Sequence, residues 1–236
     1  VDALRRRNDQ RLDRAQRDLR LLADLGRDRE QGAVDALHAL DVHRQPVKED
    51  ARQGVTGDLR QRRVAFDTPA ILTAGIQDIS NSLVEGVSLN DILRMIMETM
   101  YRSMGFQRVL LCIKDGRQNV MSGRFGFGQD INQIARNFKF PLSYTPDVFH
   151  AAITRNVDIL ISDIDDPKIQ ERIPDWYRKM VTAQTFVLFP LTIKNVPVAL
   201  IYADKEVAGE IRFTEKELSL LRTLRNQAVL AIKQST

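Results

Sequence analysis

Cysteine, tryptophan and histidine are scarce in this chain, and each scarcity removes a class of chemistry. Its 236 residues include one cysteine (Cys112), one tryptophan (Trp176) and three histidines. A single thiol excludes an internal disulfide and any multi-thiolate metal site, and it fits a reducing cytoplasm. Two of the three histidines fall before Phe66, and no Ser/His/Asp or paired-carboxylate constellation stands out, so the chain does not read as an enzyme. Long apolar runs are also missing. None approaches the roughly 20 residues that span a bilayer, so no membrane partner is expected. The opening residues, Val1-Asp-Ala-Leu-Arg-Arg-Arg, lack the apolar core of a signal peptide. Val1 in place of methionine reads as the start of a piece of a longer protein, whose remainder is expected to carry an output domain.

A one-sided excess of charge is absent too. The formal charge is +4, and arginines alternate with aspartates along the chain. Nucleic-acid binders concentrate basic charge on one face, so no nucleic-acid partner is expected. What remains is 43% hydrophobic and 28% charged, enough for one full domain plus an appendage.

Residues 1–66 form that appendage. Lysine is nearly missing there and aromatics are missing until Phe66. Leu12, Ala15, Leu19 and Leu22 recur at three- and four-residue spacing, which predicts an amphipathic helix with a narrow apolar seam or a solvated linker helix with incidental leucines. Such a helix is marginal alone and needs a partner for its seam. Residues 41–66, punctuated by Pro46, Gly54 and Gly57, read as a connector.

From residue 67 a domain begins. Thr68-Pro69 reads as a helix start, with the hydroxyl as cap and proline at the first helical position. Leu72, Ile76, Ile79 and Leu83 then make one stripe. Ser88 and Asp91 suggest a capping box for a second helix, with Leu93, Met97, Met100 and Met104 as its stripe and Gly105 as its end. The methionines read as adaptable core. Arg108 to Lys114 and Val120 to Phe125 predict two strands joined at Asp115-Gly116. Ile131 to Asn137 suggests a short helix, Phe138 to Leu142 a small strand, Thr145-Pro146 another helix start, and Val157 to Ser162 a strand. A helix begins at Asp175.

The centre of the domain is Thr185 to Leu191 and Val198 to Tyr202, two continuous apolar runs joined by Lys194-Asn195. Runs of this kind are strands covered on both faces, and Asn accepts a left-handed turn cheaply. Phe213-Thr214-Glu-Lys-Glu217 is a capping box, and Leu218, Leu221, Leu224, Ala228 and Ala231 line one side of the closing helix. Helices at both ends with antiparallel strands between define an α+β domain. Leu72, Ile76, Leu221 and Leu224 lie on stripes that the sheet alone leaves uncovered, which points to a homodimer.

Three passages resemble the GAF domain, a PAS-like small-molecule-sensing family. They are Asp147-Val-Phe-His-Ala-Ala-Ile-Thr-Arg-Asn-Val-Asp-Ile-Leu-Ile-Ser-Asp-Ile, the hairpin from Thr185 to Asp204, and the closing helix from Phe213 to Ile232. The likeness spans about 70–235. The stretch from Pro174 to Lys205 is also similar to GAF domains of bacterial HDOD signalling proteins. The resemblance implies a sheet of six antiparallel strands, terminal helices on one face that commonly pair two copies, and a small-molecule pocket on the other face. It also implies that the domain is a sensory module of a signalling protein, relaying ligand binding to an output domain.

Within such a fold the pocket is expected from 122–150 and 162–189. Arg124, Phe125 and Phe127 among glycines, the acidic turn at Asp163, and Trp176 with Tyr177 are the candidate ligand-binding residues. The arginine suits a phosphate or carboxylate, the aromatic rings offer stacking faces, and Asp163 can accept hydrogen bonds. The same residues read equally as packed core and a solvated rim, and the domain then serves as a ligandless platform for dimerisation. No cofactor is identified. Gly123, Gly126 and Gly128 are spaced somewhat like a phosphate loop, yet they match neither the Walker pattern nor the dinucleotide fingerprint. The Asn-Lys…Phe…Asp-Glu pattern of cyclic-nucleotide GAF domains is not found. Cys112 lies mid-strand, so it suits neither bilin attachment nor the thiol chemistry of the methionine sulfoxide reductase branch. His150, alone on a helix, reads as packed and not as a haem ligand.

Overall fold

The computed structural model describes residues 67–235, so the expected helix and connector of 1–66 lie outside the described residues. In chain order the elements are α1 (Thr68–Val84), α2 (Leu89–Met104), β1 (Arg108–Asp115), β2 (Val120–Gly128), α3 (Ile131–Asn137) and β3 (Lys139–Pro141). There follow α4 (Val148–Arg155), β4 (Ile159–Ile161), a 3-10 turn at Gln170–Arg172, α5 (Asp175–Met180), β5 (Thr185–Ile193), β6 (Val196–Lys205) and α6 (Glu215–Gln234). The strands form one sheet in the order β3-β2-β1-β6-β5-β4, every neighbouring pair antiparallel. This is the α+β architecture expected, with six strands.

Local chemistry explains the boundaries. Lys194 and Asn195 turn the β5–β6 hairpin with left-handed φ values of 50° and 63°, matching the right-handed twist of the strands. Thr214 caps α6 in a reciprocal box with Glu217. Two starts differ from expectation. Asp67, not Thr68, caps α1 by accepting from the Ala70 N–H at 3.2 Å, while the Thr68 hydroxyl donates to the Ser103 carbonyl on α2. Likewise Asp147 caps α4 through the His150 N–H at 2.8 Å, placing Pro146 before the helix and not within it. In both cases the adjacent carboxylate takes the cap. β4 is shorter than expected because Asn156 ends α4 in a left-handed conformation and Val157 still bonds back to Ala152.

The central strands send alternate side chains to two cores. Val109, Leu111, Phe189, Leu191, Ile201 and Ala203 meet α1, α2 and α6 on the outer face. Leu110, Cys112, Phe186, Leu188, Leu200 and Tyr202 face inward under α3, α4 and α5. The inner core is largely aromatic. Phe138 lies 5.1–6.3 Å from Phe140, Phe149, Trp176 and Tyr202. Where α3 and the β1 backbone close on β2 the strand must be bare. A Cβ on Gly126 would sit 2.1 Å from the Val109 carbonyl oxygen, and one on Gly123 would sit 2.5 Å from that of Ala135. The spacing that suggested a phosphate loop therefore belongs to a strand crowded by α3 at Gly123 and by the backbone at and just before β1 at Gly126 and Gly128.

The outer helices cover their own stripes. Leu72, Leu221 and Leu224 are fully buried within the chain and Ile76 packs against them. Gln227 on α6 donates to the Ile76 carbonyl and the Ser80 hydroxyl on α1 at 3.1 and 2.7 Å. The expectation that these leucines remain for a second copy is corrected, because α1, α2 and α6 form a closed layer. Among the described residues no helix is long and apolar enough to cross a membrane. Leu221→Glu, which forces a charge into this layer, is expected to cost about 3–5 kcal/mol of folding free energy. Urea denaturation should show the loss equally at low and high protein concentration, since the side chain is buried inside one protomer.

Candidate ligand cleft

The inner face carries a buried polar chain at one end of the central strands. Arg108 opens β1, and the antiparallel register sets it directly across from Asp204 on β6. The Arg108 Nε–H donates to Asp204 Oδ2 at 2.8 Å and to Oδ1 at 3.1 Å. Two residues earlier and on the same face, the Tyr202 hydroxyl donates to Asp204 Oδ2. The Tyr177 hydroxyl on α5 lies 3.0 Å from that of Tyr202. All four residues are buried.

Burial governs the protonation of this chain. It pushes both phenols up, so Tyr177 and Tyr202 stay neutral donors. It raises the Asp204 carboxyl above its ordinary range, against the opposing pull of the Arg108 charge. Burial alone would lower the Arg108 guanidinium, but the Asp204 charge and hydrogen bonds outweigh it and hold the group charged. Arg108 Nη2 is sealed from solvent and finds no acceptor among the described residues. A buried donor left so costs about 1–3 kcal/mol.

Arg108 also belongs to the wall of a cleft of about 470 Å³. Asp130, Gln133, Ile134 and Asn137 at α3 form one side, while Trp176, Lys179 and Met180 on α5, with Thr182 beyond it, form the other. The volume lies within the range of small-molecule sites, and the lining mixes an indole face with amides, a hydroxyl and charges of both signs. Among the described residues no cluster of His, Cys, Asp and Glu is placed to hold a metal ion.

The structure does not bring the six sequence-chosen residues together. Trp176 lines the cleft and packs 4.9 Å from Phe149; Tyr177 lies beneath it in the polar chain. Phe125 and Phe127 point to the opposite face, where Arg94 of α2 lies over Phe125 at 5.3 Å and Tyr101 of α2 stacks on Phe127 at 6.1 Å. The cause is a bulge. Leu111 pairs with Phe125 but Cys112 pairs with Gly123, so Arg124 is the extra residue and the alternation changes there. Arg124 is half-buried and does not line the cleft. Asp163 caps its own turn, accepting from the Asp165 N–H at 2.9 Å. Arg178 holds that turn against α5 through Asp165 Oδ1 and the Ile164 carbonyl, at 2.7 and 2.6 Å.

Arg108 and Asp204 were missed in the sequence. One signal was present: two doubly buried strands carry opposite charges at ends that antiparallel pairing sets side by side. Cys112 is fully buried and burial pushes its thiol up, which leaves it unreactive. His150 sits edge-on to Tyr144 at 5.4 Å.

A six-stranded antiparallel sheet with three long helices on one face and a cleft under short helices on the other defines a GAF-like α+β class of domain. The GAF domain profile matches residues 88–232, and the chain belongs to the GAF domain family. Among solved structures it is similar to the GAF domain of an Acinetobacter phosphoenolpyruvate-protein phosphotransferase. The two share 16% identity over 70% of this chain and 92% of that one, with a TM-score of 0.55. It is similar to the phycoerythrobilin-bound GAF domain of a cyanobacterial phytochrome, at 15% identity over 70% and 96%, TM-score 0.54. It is similar as well to free methionine-R-sulfoxide reductase from Neisseria meningitidis in complex with its substrate, at 15% identity over 73% and 96%, TM-score 0.51. At these identities the likeness is one of fold. No curated protein sequence matches the chain.

Removing one partner of a buried ion pair leaves the other charge uncompensated. Asp204→Asn is expected to cost about 3–5 kcal/mol, and Arg108→Met with Asp204→Leu to recover most of it, read by urea denaturation. A pH dependence follows from the raised Asp204 pKa. The folded state holds this proton more tightly than the unfolded chain, so its contribution to stability is fully present below the ordinary carboxylate pKa. That contribution disappears as the pH rises through the raised value. The stability of the wild type relative to Asp204→Asn should therefore improve as the pH is lowered from neutral towards the carboxylate range.

Proposed function

We propose that the chain is a non-enzymatic sensory GAF module of a bacterial signalling protein, working in the cytoplasm. Its cleft takes a small polar or anionic molecule, and the binding event reaches an output domain through the terminal helices. The observation that carries this reading is the cleft itself, whose wall includes Arg108 of the buried charge pair. Cys112, the single cysteine, is buried, which argues against a thiol-based reaction in this chain. The distant likeness to the GAF domain/HD domain protein from Geobacter sulfurreducens, at 9% identity, is consistent with a signalling setting of the HDOD kind but is a likeness of fold.

A physical route for the relay leads off the cleft. Trp176 packs on Phe149 of α4, and Asp158, three residues past the end of α4, binds Arg222 and Arg225 of α6 at 2.8 and 2.6 Å. A ligand that moves Trp176 thereby loads α6, the closing helix. Leu230, 46% exposed on α6, is where pairing of two copies is proposed.

The second reading, a ligandless platform for dimerisation, is favoured by the aromatic cluster that fills much of the inner face. A thermal-shift screen against nucleotides, amino acids, organic acids and sugars separates the two. A ligand bound only by the native state raises the melting temperature, by about 2.7 kcal/mol of stabilisation at a hundredfold excess over Kd. The sensory reading expects at least one hit, and hydrogen exchange in α6 that changes with the hit. Arg222→Ala with Arg225→Ala should leave affinity within about twofold and abolish the α6 response. An empty screen leaves the platform reading.

A further inference from the structure

Resting on the sensory reading, we infer that the cleft recognises its ligand by a phosphate or carboxylate group docked on Arg108. The guanidinium is already committed in position but not in valence. Asp204 holds it through Nε alone, its side chain is 5% exposed, and Nη2 finds no acceptor among the described residues. Arg108 is part of the cleft wall, and Nη2 itself is covered, so an oxyanion in the cleft pairs with it only after a small shift of the lining side chains. Oxyanions match a planar guanidinium in geometry and charge, which amides and cations do not.

The surroundings favour the same class. Lys179 adds a second cation at the mouth, while Gln133, Asn137 and Thr182 add neutral polar groups able to donate, against the single carboxylate of Asp130. Because Arg108 is immobilised before binding, little ordering is lost when the oxyanion arrives. Trp176 lines the adjacent wall, so a ligand with a flat body attached to its anionic group is held at both ends. Free phosphate and a phosphorylated or carboxylated metabolite share this chemistry, and size distinguishes them.

Trp176 is the only tryptophan of the chain, so intrinsic fluorescence reports on the cleft directly. The probes are inorganic phosphate, pyrophosphate and succinate, with adenosine and choline as neutral and cationic controls, each up to about 10 mM at constant ionic strength. That ceiling fills most of a millimolar site. At least one oxyanion is expected to change the Trp176 emission saturably. Arg108→Gln with Asp204→Asn removes both charges and strands neither. In that variant the affinity should fall about ten- to hundredfold, the scale of a charge-assisted hydrogen bond. In the wild type, which avoids any folding defect of the variant, the Arg108 guanidinium NMR resonance should move along the same saturation curve.

Oxyanion binding that leaves the Arg108 resonance unmoved, or that is equally tight in the folded double variant, overturns the inference. Saturable binding of adenosine or choline without any oxyanion overturns it too and leaves the sensory reading standing. Silence from every probe also overturns it. The sensory reading falls only if the broader thermal-shift screen is empty as well.

Discussion

Strands β1, β5 and β6 are buried on both faces, so any polar side chain they carry must find its partner inside the protein. The helices on each side follow from this, since a sheet apolar on both faces is stable only between two covering layers. The Arg108–Asp204 pair follows too. A guanidinium and a carboxylate each lose several kcal/mol of hydration at such depth. They are tolerable only because the β1–β6 register holds them together, with a tyrosine hydroxyl to complete the carboxylate.

The two covering layers have different chemistry. Outside, aliphatic side chains and methionines from α1, α2 and α6 close a core without polar groups at its centre, and Gln227 ties α6 to α1 at its margin. Inside, the helices are short, α3 and α5 spanning only Ile131–Asn137 and Asp175–Met180. α5 is pinned by the aromatic contacts of Trp176 and Tyr177 and by Arg178 on the acidic turn, and the end of α3 by Phe138 in the same cluster. Short helices held at a few points leave a cleft between them where a long helix would have filled it. Asp158 ties the two layers together, because it follows α4 in the chain and binds α6 through two arginines.

Most of the fold was legible along the chain. Doubly apolar runs, the Thr214–Glu217 box and the stripes of the terminal helices each report a local preference that the tertiary structure obeys. The candidate site was only half legible. Trp176 and Tyr177 were both expected at the pocket; Trp176 lines the cleft, while Tyr177 is buried beneath it. Arg124 drew attention through its glycine neighbours, yet Gly123 is bare because α3 presses on β2, and Gly126 because the β1 backbone and Ile131 approach it. The bulge at Arg124 then sends Phe125 and Phe127 to the outer face, and no periodicity in the sequence announces an inserted residue.

The sequence by itself determined the antiparallel α+β architecture, the central hairpin and its turn, and the exclusion of disulfide and multi-thiolate chemistry, because these depend on residue type and near-neighbour spacing. The tertiary structure alone decided which arginine meets the cleft. Arg108 and Asp204 are 96 positions apart and become neighbours only through the β1–β6 register. Whether Nη2 is satisfied depends on angles between strands that no local pattern encodes. The same holds for the leucine stripes, which looked available to a second copy until the third helix was seen to close over them. Burial and pairing across a sheet are long-range properties, and the cleft is built from those.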